Sequence, residues 1–218
     1  MCRPLELVFA NGMDKGEIVG IPTGDVTQMK SFEEFFDAYK KQMEYCISLL
    51  VNADNAIDVA HAERCPLPFL SCMIDDCLKE GRSVQEGGAV YNFTGPQGFG
   101  IANMADGLFA IRKLVYEEKK VSMEEFKEAL AWNYDKGLDA QSAGDMTEMI
   151  IKALQKAGKE ADASTAAGLL KTFIGMKPGE QKTQRFKEIH DMIDEVPKFG
   201  NDIPEIDYFA REVAYTYS

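Results

Sequence analysis

Apolar residues recur at three- and four-residue spacing over most of this chain, the pattern of helices that bury one face. Leu5, Val8 and Phe9 run up to Gly12 and read as the closing turns of a helix whose natural start lies upstream of Met1. Residues 13 to 30 are rich in turn formers. Ser31 with Glu34 has capping-box spacing and opens a long helix carrying Phe35, Tyr39, Met43, Cys46, Ile47 and Leu50 on one stripe. A second helix is expected over Ala53 to Glu63. A third spans Pro68 to Lys79, set off by Pro66 and closed by Gly81, with Met73, Ile74 and Leu78 inward and Asp75, Asp76 and Glu80 in solvent. One run breaks the helical period. Ala89 to Phe93 is β-branched and aromatic, lies among turn glycines, and reads as a buried strand. Behind it, Met104, Leu108, Ile111, Leu114 and Val115 form the stripe of another helix, and Ser122 with Glu125 caps one holding Met123, Phe126, Ala129, Leu130 and Trp132. Helices around one clear strand make a helix-rich α/β chain.

Residues 137 to 195 change character: Gly, Ala, Asp and Lys dominate and aromatics thin out. Helical patterns over Met146 to Lys156, Ala161 to Phe173 and Thr183 to Ile193 are joined at Gly158 and at Lys177-Pro178-Gly179, with Pro178-Gly179 the natural hinge. The stretch reads as a helical insertion between a domain of residues 1 to 136 and its continuation over 196 to 218.

The stretch Gly87 to Gly100, GGAVYNFTGPQGFG, joins the strand to the helix after it through a glycine loop. In strand–loop–helix units, ligands gather at the carboxyl end of the strand, which puts Asn92, Thr94, Gln97 and Phe99 where a substrate would be met. The alternative is a tight turn whose glycines serve backbone geometry alone. From Gly95 the glycines run G-x-x-G-x-G, with no following Lys-Ser or Lys-Thr and no acidic residue placed for a ribose, so neither a phosphate loop nor a dinucleotide fingerprint fits.

These residues carry a resemblance. Together with RPLELVFANG (Arg3 to Gly12), TGD (Thr23 to Asp25), SFEEFFDAYKKQMEY, HAERCPLPFLS, MADGLFAIRKLVYEEKKVSMEEFKEAL and KFGND (Lys198 to Asp202), the chain resembles glycyl radical enzymes of the pyruvate formate-lyase-like superfamily. It is most similar to the diol and glycerol dehydratase branch, over about residues 3 to 136 and 196 to 215. The resemblance implies part of a ten-stranded β/α barrel, and a lyase that dehydrates a small diol-like or hydroxylated substrate by radical C–O cleavage. It implies a glycyl radical rather than a cofactor bound directly by this chain. Implied partners are a small-molecule substrate, a radical-SAM activating enzyme and the remaining part of the barrel or a same-family subunit, in a homo-oligomer of the complete enzyme. The glycine loop would form one barrel strand and its rim, with Asn92, Thr94, Pro96, Gln97 and Phe99 as pocket wall. The family's Gly-Cys-x-Glu finger and its Arg-Val-x-Gly-Tyr-type loop are both missing here, so no catalytic residue is expected in this chain, which would lie between them. Two other readings stand beside the dehydratase: a half-barrel that binds or assembles without catalysis, and a decarboxylase, since some arylacetate decarboxylases of the superfamily are enlarged near the insertion.

Composition narrows the partners. At 218 residues, 45% hydrophobic and 28% charged, the chain can bury a sizeable core. A formal charge of −12, with no basic and aromatic patch, excludes nucleic acid as the expected partner. No apolar run suits a membrane span and no signal core opens the chain, so a cytoplasmic location is expected, and the family resemblance implies an anaerobic setting. The five cysteines, Cys2, Cys46, Cys65, Cys72 and Cys77, read as buried small hydrophobes. His61-x-Glu63 with Cys65-Pro66, Cys72 and Cys77 inverts the Pro-Cys-x-x-Cys order of a zinc deaminase, so no metal site is expected. His61 is expected in a helix-end contact, His190 in solvent, and Glu86 either as a cap or facing the barrel interior.

Overall fold

The computed structural model describes residues 2–93, 95–134 and 180–217. They fall into two compact units, residues 1–43 with 100–218, and residues 44–99.

The first unit begins with helix α1 (Cys2–Phe9), which buries Leu7 and Val8. Its exit turns on Asn11 and Gly12, both with positive φ, at 51° and 77°. A side chain at Gly12 would place its Cβ 2.5 Å from the Ile21 carbonyl oxygen, so this turn needs glycine twice over, for conformation and for space. Asn11 Oδ1 then accepts the backbone N–H groups of Thr23 (2.9 Å) and Gly24 (2.8 Å). The ANG and TGD motifs are thus two halves of one chain reversal. Between them lies a small antiparallel hairpin, β1 (Met13–Asp14) with β2 (Glu17–Ile18). The fully buried Gln42 fixes the return strand of this loop: its amide donates to the Ile21 carbonyl (2.5 Å) and accepts the Ile21 N–H (3.3 Å).

Helix α2 runs Phe32–Arg64 without a break. Ser31 caps it through the Glu34 N–H, and the Glu34 carboxylate reaches back to Lys30 N, one residue before the capping-box position. Two helices were expected here. From Val51 to Arg64 there is neither Gly nor Pro to interrupt the hydrogen-bond ladder, which continues until Pro66.

Helix α5 (Ile101–Ile111) passes into a π-helical segment (Arg112–Glu117) and, after a turn, into α6 (Met123–Ala131). Of the expected stripe, Met104, Leu108, Ile111 and Leu114 are buried and Val115 is half-buried. The Ser122–Glu125 capping box forms in full. Helix α7 (Glu180–Glu195) is tied to α6 by Arg185, which meets the Glu125 carboxylate and donates to the Lys120 carbonyl (2.9 Å). Helix α8 (Pro204–Tyr215) lies along α5 and buries Ile206, Phe209, Ala210 and Val213. The Phe209 ring sits 5.8–5.9 Å from those of Phe32, Phe36 and Phe109, the centre of an aromatic core to which Phe35, Tyr39 and Phe126 belong. Asp106 of α5 accepts the Phe199 N–H (2.8 Å) and anchors the KFGND turn. Burial pushes the Tyr116 phenol, beside Phe32 and Phe35, up to about 12, with Glu34 adding to it.

The second unit holds the rest of α2, two short helices, α3 (Pro68–Ser71) and α4 (Cys77–Glu80), and an irregular stretch over 81–99. Here several expectations fail. The single helix over Pro68 to Lys79 is split by a turn ending at Asp76, whose φ is +75°. With the helical register broken, Met73 and Leu78 are exposed, Ile74 is half-buried, and Cys77 turns inward instead. The strand over Ala89 to Phe93 does not form, and Val90, Tyr91 and Phe93 are each at least 70% exposed. A strand needs a neighbour for its N–H and C=O groups. Among the described residues the hairpin is the sole sheet, and it offers residues 89–93 no partner. Of the cysteines, Cys77 alone is buried; Cys65 and Cys72 are exposed, Cys2 and Cys46 half-buried, and all are free thiols. The expected helices over Met146 to Lys156 and Ala161 to Phe173 and the Pro178-Gly179 hinge lie outside the described residues, while Thr183 to Ile193 falls within α7.

Candidate functional site

The glycine loop begins from a knotted turn. Ser83 caps a single 3-10 turn (Val84–Glu86) by accepting the Glu86 N–H, and the Glu86 carboxylate returns to the Ser83 N–H (3.0 Å) and hydroxyl (2.9 Å). Glu86 is therefore a cap and not an interior acid. Those bonds, led by the Ser83 backbone N–H, hold its carboxyl below the ordinary glutamate range, with Arg82 adding attraction. Arg82 crosses the turn to the Glu86 carbonyl. Gly88 N donates to the Ser83 carbonyl (2.9 Å), and the two segments approach so closely there that a Cβ on Gly88 would overlap the Arg82 carbonyl oxygen.

Beyond the knot the chain opens out. Asn92 is exposed, and its Nδ2 donates to the Val84 carbonyl at 3.0 Å. Pro96, Gln97 and Phe99 are exposed as well, and the Phe99 N–H closes a tight turn on the Gln97 carbonyl (3.2 Å). Thr94 lies outside the described residues. Tyr91 and Phe93 set their rings 6.3 Å apart. Of the expected wall residues, Pro96, Gln97 and Phe99 are thus exposed on one stretch, while the Asn92 amide is turned back onto the Val84 carbonyl. That arrangement can offer hydrogen bonds and an apolar surface to a small polar molecule. Among the described residues no three His, Cys, Asp or Glu side chains gather as metal ligands.

A cleft of 210 Å³ in the same unit is lined by Pro68, Ser71, Cys72, Cys77, Leu78, Gly81, Arg82 and Ser83. None of the expected wall residues reaches it. Ser71 is the one sequence reading passed over: it is buried, donates from Oγ to the Leu67 carbonyl (2.8 Å) and accepts the Val84 N–H (3.0 Å). The Ser83-x-x-Glu86 spacing was the available signal for the knot. His61 is exposed on α2, and His190 packs its ring on Tyr134 and faces Asp194.

The family model described as pyruvate formate lyase-like matches residues 1–218. A solved structure concerned with 1,2-propanediol dehydration in Roseburia inulinivorans is 57% identical, with a TM-score of 0.93, over 99% of this chain and 26% of its own. The glycerol-bound B12-independent glycerol dehydratase from Clostridium butyricum is 39% identical, with a TM-score of 0.72, over 99% of this chain and 21% of its own. Trans-4-hydroxy-L-proline dehydratase from Clostridioides difficile is 38% identical across 133 residues, 60% of this chain and 17% of the relative. The chain therefore spans about a fifth of the length of the proteins it matches. Relatives named as decarboxylases are more distant.

Proposed function

We infer the function from one premise: the chain belongs to the pyruvate formate lyase-like family, whose model matches its whole length. On that basis it serves as a segment of a glycyl radical dehydratase that removes water from a small diol or similar hydroxylated substrate. The observation that carries this reading is the 57% identity to the 1,2-propanediol dehydration structure along 99% of the chain. That match also runs through residues 137–195, so an enlargement there gives the decarboxylase reading no advantage.

The residues present do not fit the radical group. Neither the Gly-Cys-x-Glu finger nor the Arg-Val-x-Gly-Tyr-type loop occurs among the 218 residues, and no step is assigned to a radical within them. When present elsewhere in the enzyme, that group supplies hydrogen abstraction. This chain's part is binding. Gln97 and Thr94 orient the hydroxyl groups of the substrate, Pro96 and Phe99 exclude water beside it, and the strand of residues 89–93 forms once a neighbouring barrel strand meets it. The domain division at 136 and 196, a radical-SAM activating partner, homo-oligomer assembly and a cytoplasmic location belong to the same reading. Among the described residues no helix is long and apolar enough to cross a membrane.

Anaerobic incubation with a radical-SAM activase and 1,2-propanediol or glycerol tests it. The 218-residue chain alone gives no aldehyde and no glycyl signal in electron paramagnetic resonance, whereas a polypeptide that also carries the finger and the glycyl loop gives both. In that polypeptide Gln97→Ala lowers kcat/KM by the equivalent of about 1–3 kcal/mol without loss of folding. Product from the 218 residues alone, or an unfolded Gln97→Ala protein, overturns the reading.

A further inference from the structure

Val84 is a junction. Its N–H is held by the Ser71 hydroxyl (3.0 Å), and its carbonyl receives both the Gly87 N–H (3.1 Å) and the Asn92 side-chain amide (3.0 Å). Ser71 is itself fixed from both sides, since its buried hydroxyl donates to the Leu67 carbonyl while the Leu67 N–H donates to Gln85 Oε1 (3.2 Å). The PLPFLS segment and the GGAVYN segment, unremarkable apart, are therefore stitched together through the turn of residues 82–88. A carbonyl can only accept, so the nitrogen of the Asn92 amide must face Val84, which commits the side chain inward along the chain rather than outward to a ligand.

We propose that Asn92 is a positioning residue that hangs the start of the loop 94–99 on the Ser71–Val84 junction, and that Ser71 acts through the same junction, rather than either side chain contacting substrate. This rests on the proposed dehydratase reading for its catalytic consequence and on geometry alone for the junction. The mechanism is alignment. Where described, residues 93–99 are free of regular structure and all but Gly98 are exposed, and the Asn92 bond, with the Gly88 contact behind it, fixes the point from which they set out. Release of the amide would loosen the course the chain takes from Asn92 toward Gln97 and dilute the productive one.

The experiment has two arms, so that failure of the junction and failure of the dehydratase reading are told apart. In the 218-residue chain, hydrogen exchange is followed at the amides of Gly87 and Gly88 in Asn92→Ala, Asn92→Asp, Ser71→Ala and the double Asn92→Ala/Ser71→Ala variant. Each single change speeds exchange by about three- to tenfold, the size of one net hydrogen bond, and the double variant exchanges no faster than the faster single one. Asn92→Asp behaves like Asn92→Ala because a carboxylate cannot donate to Val84. Unchanged exchange in the Asn92 variants overturns the junction whatever the activity. In the polypeptide bearing the radical motifs, Asn92→Ala and Ser71→Ala lower kcat by a common factor on 1,2-propanediol and on glycerol and leave KM nearly level. A loss in Asn92→Ala that differs between the two diols, with Ser71→Ala fully active, makes Asn92 a substrate contact and overturns the proposal. Absence of any diol turnover in the unsubstituted polypeptide removes the dehydratase reading, and the exchange arm still decides the junction.

Discussion

Gln42 offers the sharpest test of how the first unit is held together. The side chain is fully buried on α2, and both ends of its amide engage the backbone of one residue, donating to the Ile21 carbonyl at 2.5 Å and accepting the Ile21 N–H at 3.3 Å. Gln42→Leu keeps volume and helix propensity and deletes both bonds, leaving a donor and an acceptor of Ile21 without their partner. At roughly 0.5–1.5 kcal/mol per net hydrogen bond, the loss is about 1–3 kcal/mol. Gln42→Glu is more informative still. Its carboxylate retains an acceptor for the Ile21 N–H but sets a second oxygen against the Ile21 carbonyl, so at neutral pH it is less stable than Gln42→Leu, and acidification closes the gap as the protonated acid regains a donor. Urea unfolding read on Trp132, the one tryptophan and a residue of the same unit, measures all three. A steric cross-check is built in. A Cβ at Gly20 would come within 2.5 Å of Gln42 Oε1, so Gly20→Ala destabilises the parent chain and does so less in the Gln42→Leu background. A Gln42→Leu chain as stable as the parent would refute the reasoning, because the loop would then be held by something other than this amide.

Two further predictions concern the core and the pH dependence of the same unit. Leu108→Ala on α5, at a position with no solvent exposure, leaves a cavity costing about 2–5 kcal/mol in urea midpoint, and a loss under 1 kcal/mol would mean that α5 and α8 are not packed as described. The Glu125 carboxyl is held low by the Ser122 backbone N–H first and Arg185 next, so its contribution is complete above the unfolded carboxyl value of about 4.3 and is lost as pH falls through the lower folded value. Glu125→Gln, which retains an acceptor for the cap, flattens the acid limb of the stability curve; an unchanged limb would place the acid sensitivity elsewhere.

What the sequence disclosed and what it withheld divide along physical lines. Where a segment's partner lies within the described residues, periodicity was sufficient: the stripe of Met104, Leu108, Ile111 and Leu114 is buried, and the Ser122–Glu125 box forms atom for atom. Boundaries set by absence of a breaker were harder, which is why α2 runs through residues 50–53 where a gap was expected. The knot at 82–88 was half legible, since Ser83-x-x-Glu86 has capping-box spacing, but the bonds that give it consequence, Ser71 to Val84 and Asn92 to Val84, run between side chains and backbone and leave no period in the sequence. The family was legible because motifs such as ANG and TGD encode contacts of this kind directly: Asn11 tolerates positive φ and still caps two amides of the second motif.

The two units differ in how far they satisfy themselves. Residues 1–43 and 100–218 enclose an aromatic core around Phe209, and most of the side chains that periodicity marks as inward are buried there, Leu130 being exposed. Residues 44–99 bury little beyond Ser71, Cys77 and Ala89, and leave Phe69, Leu78, Tyr91, Phe93 and Phe99 more than 70% exposed. Such density of exposed aromatic and aliphatic surface is characteristic of a face that meets another surface. The same residues that fail to make a strand here, Val90, Tyr91 and Phe93, are strong strand formers, and their propensity is expressed only when a neighbouring backbone supplies hydrogen-bond partners. The failed strand and the exposed apolar face are thus one observation seen twice. Both follow if residues 89–93 pair with a neighbouring strand in the proposed dehydratase, the candidate loop then leaving from the end of that pairing.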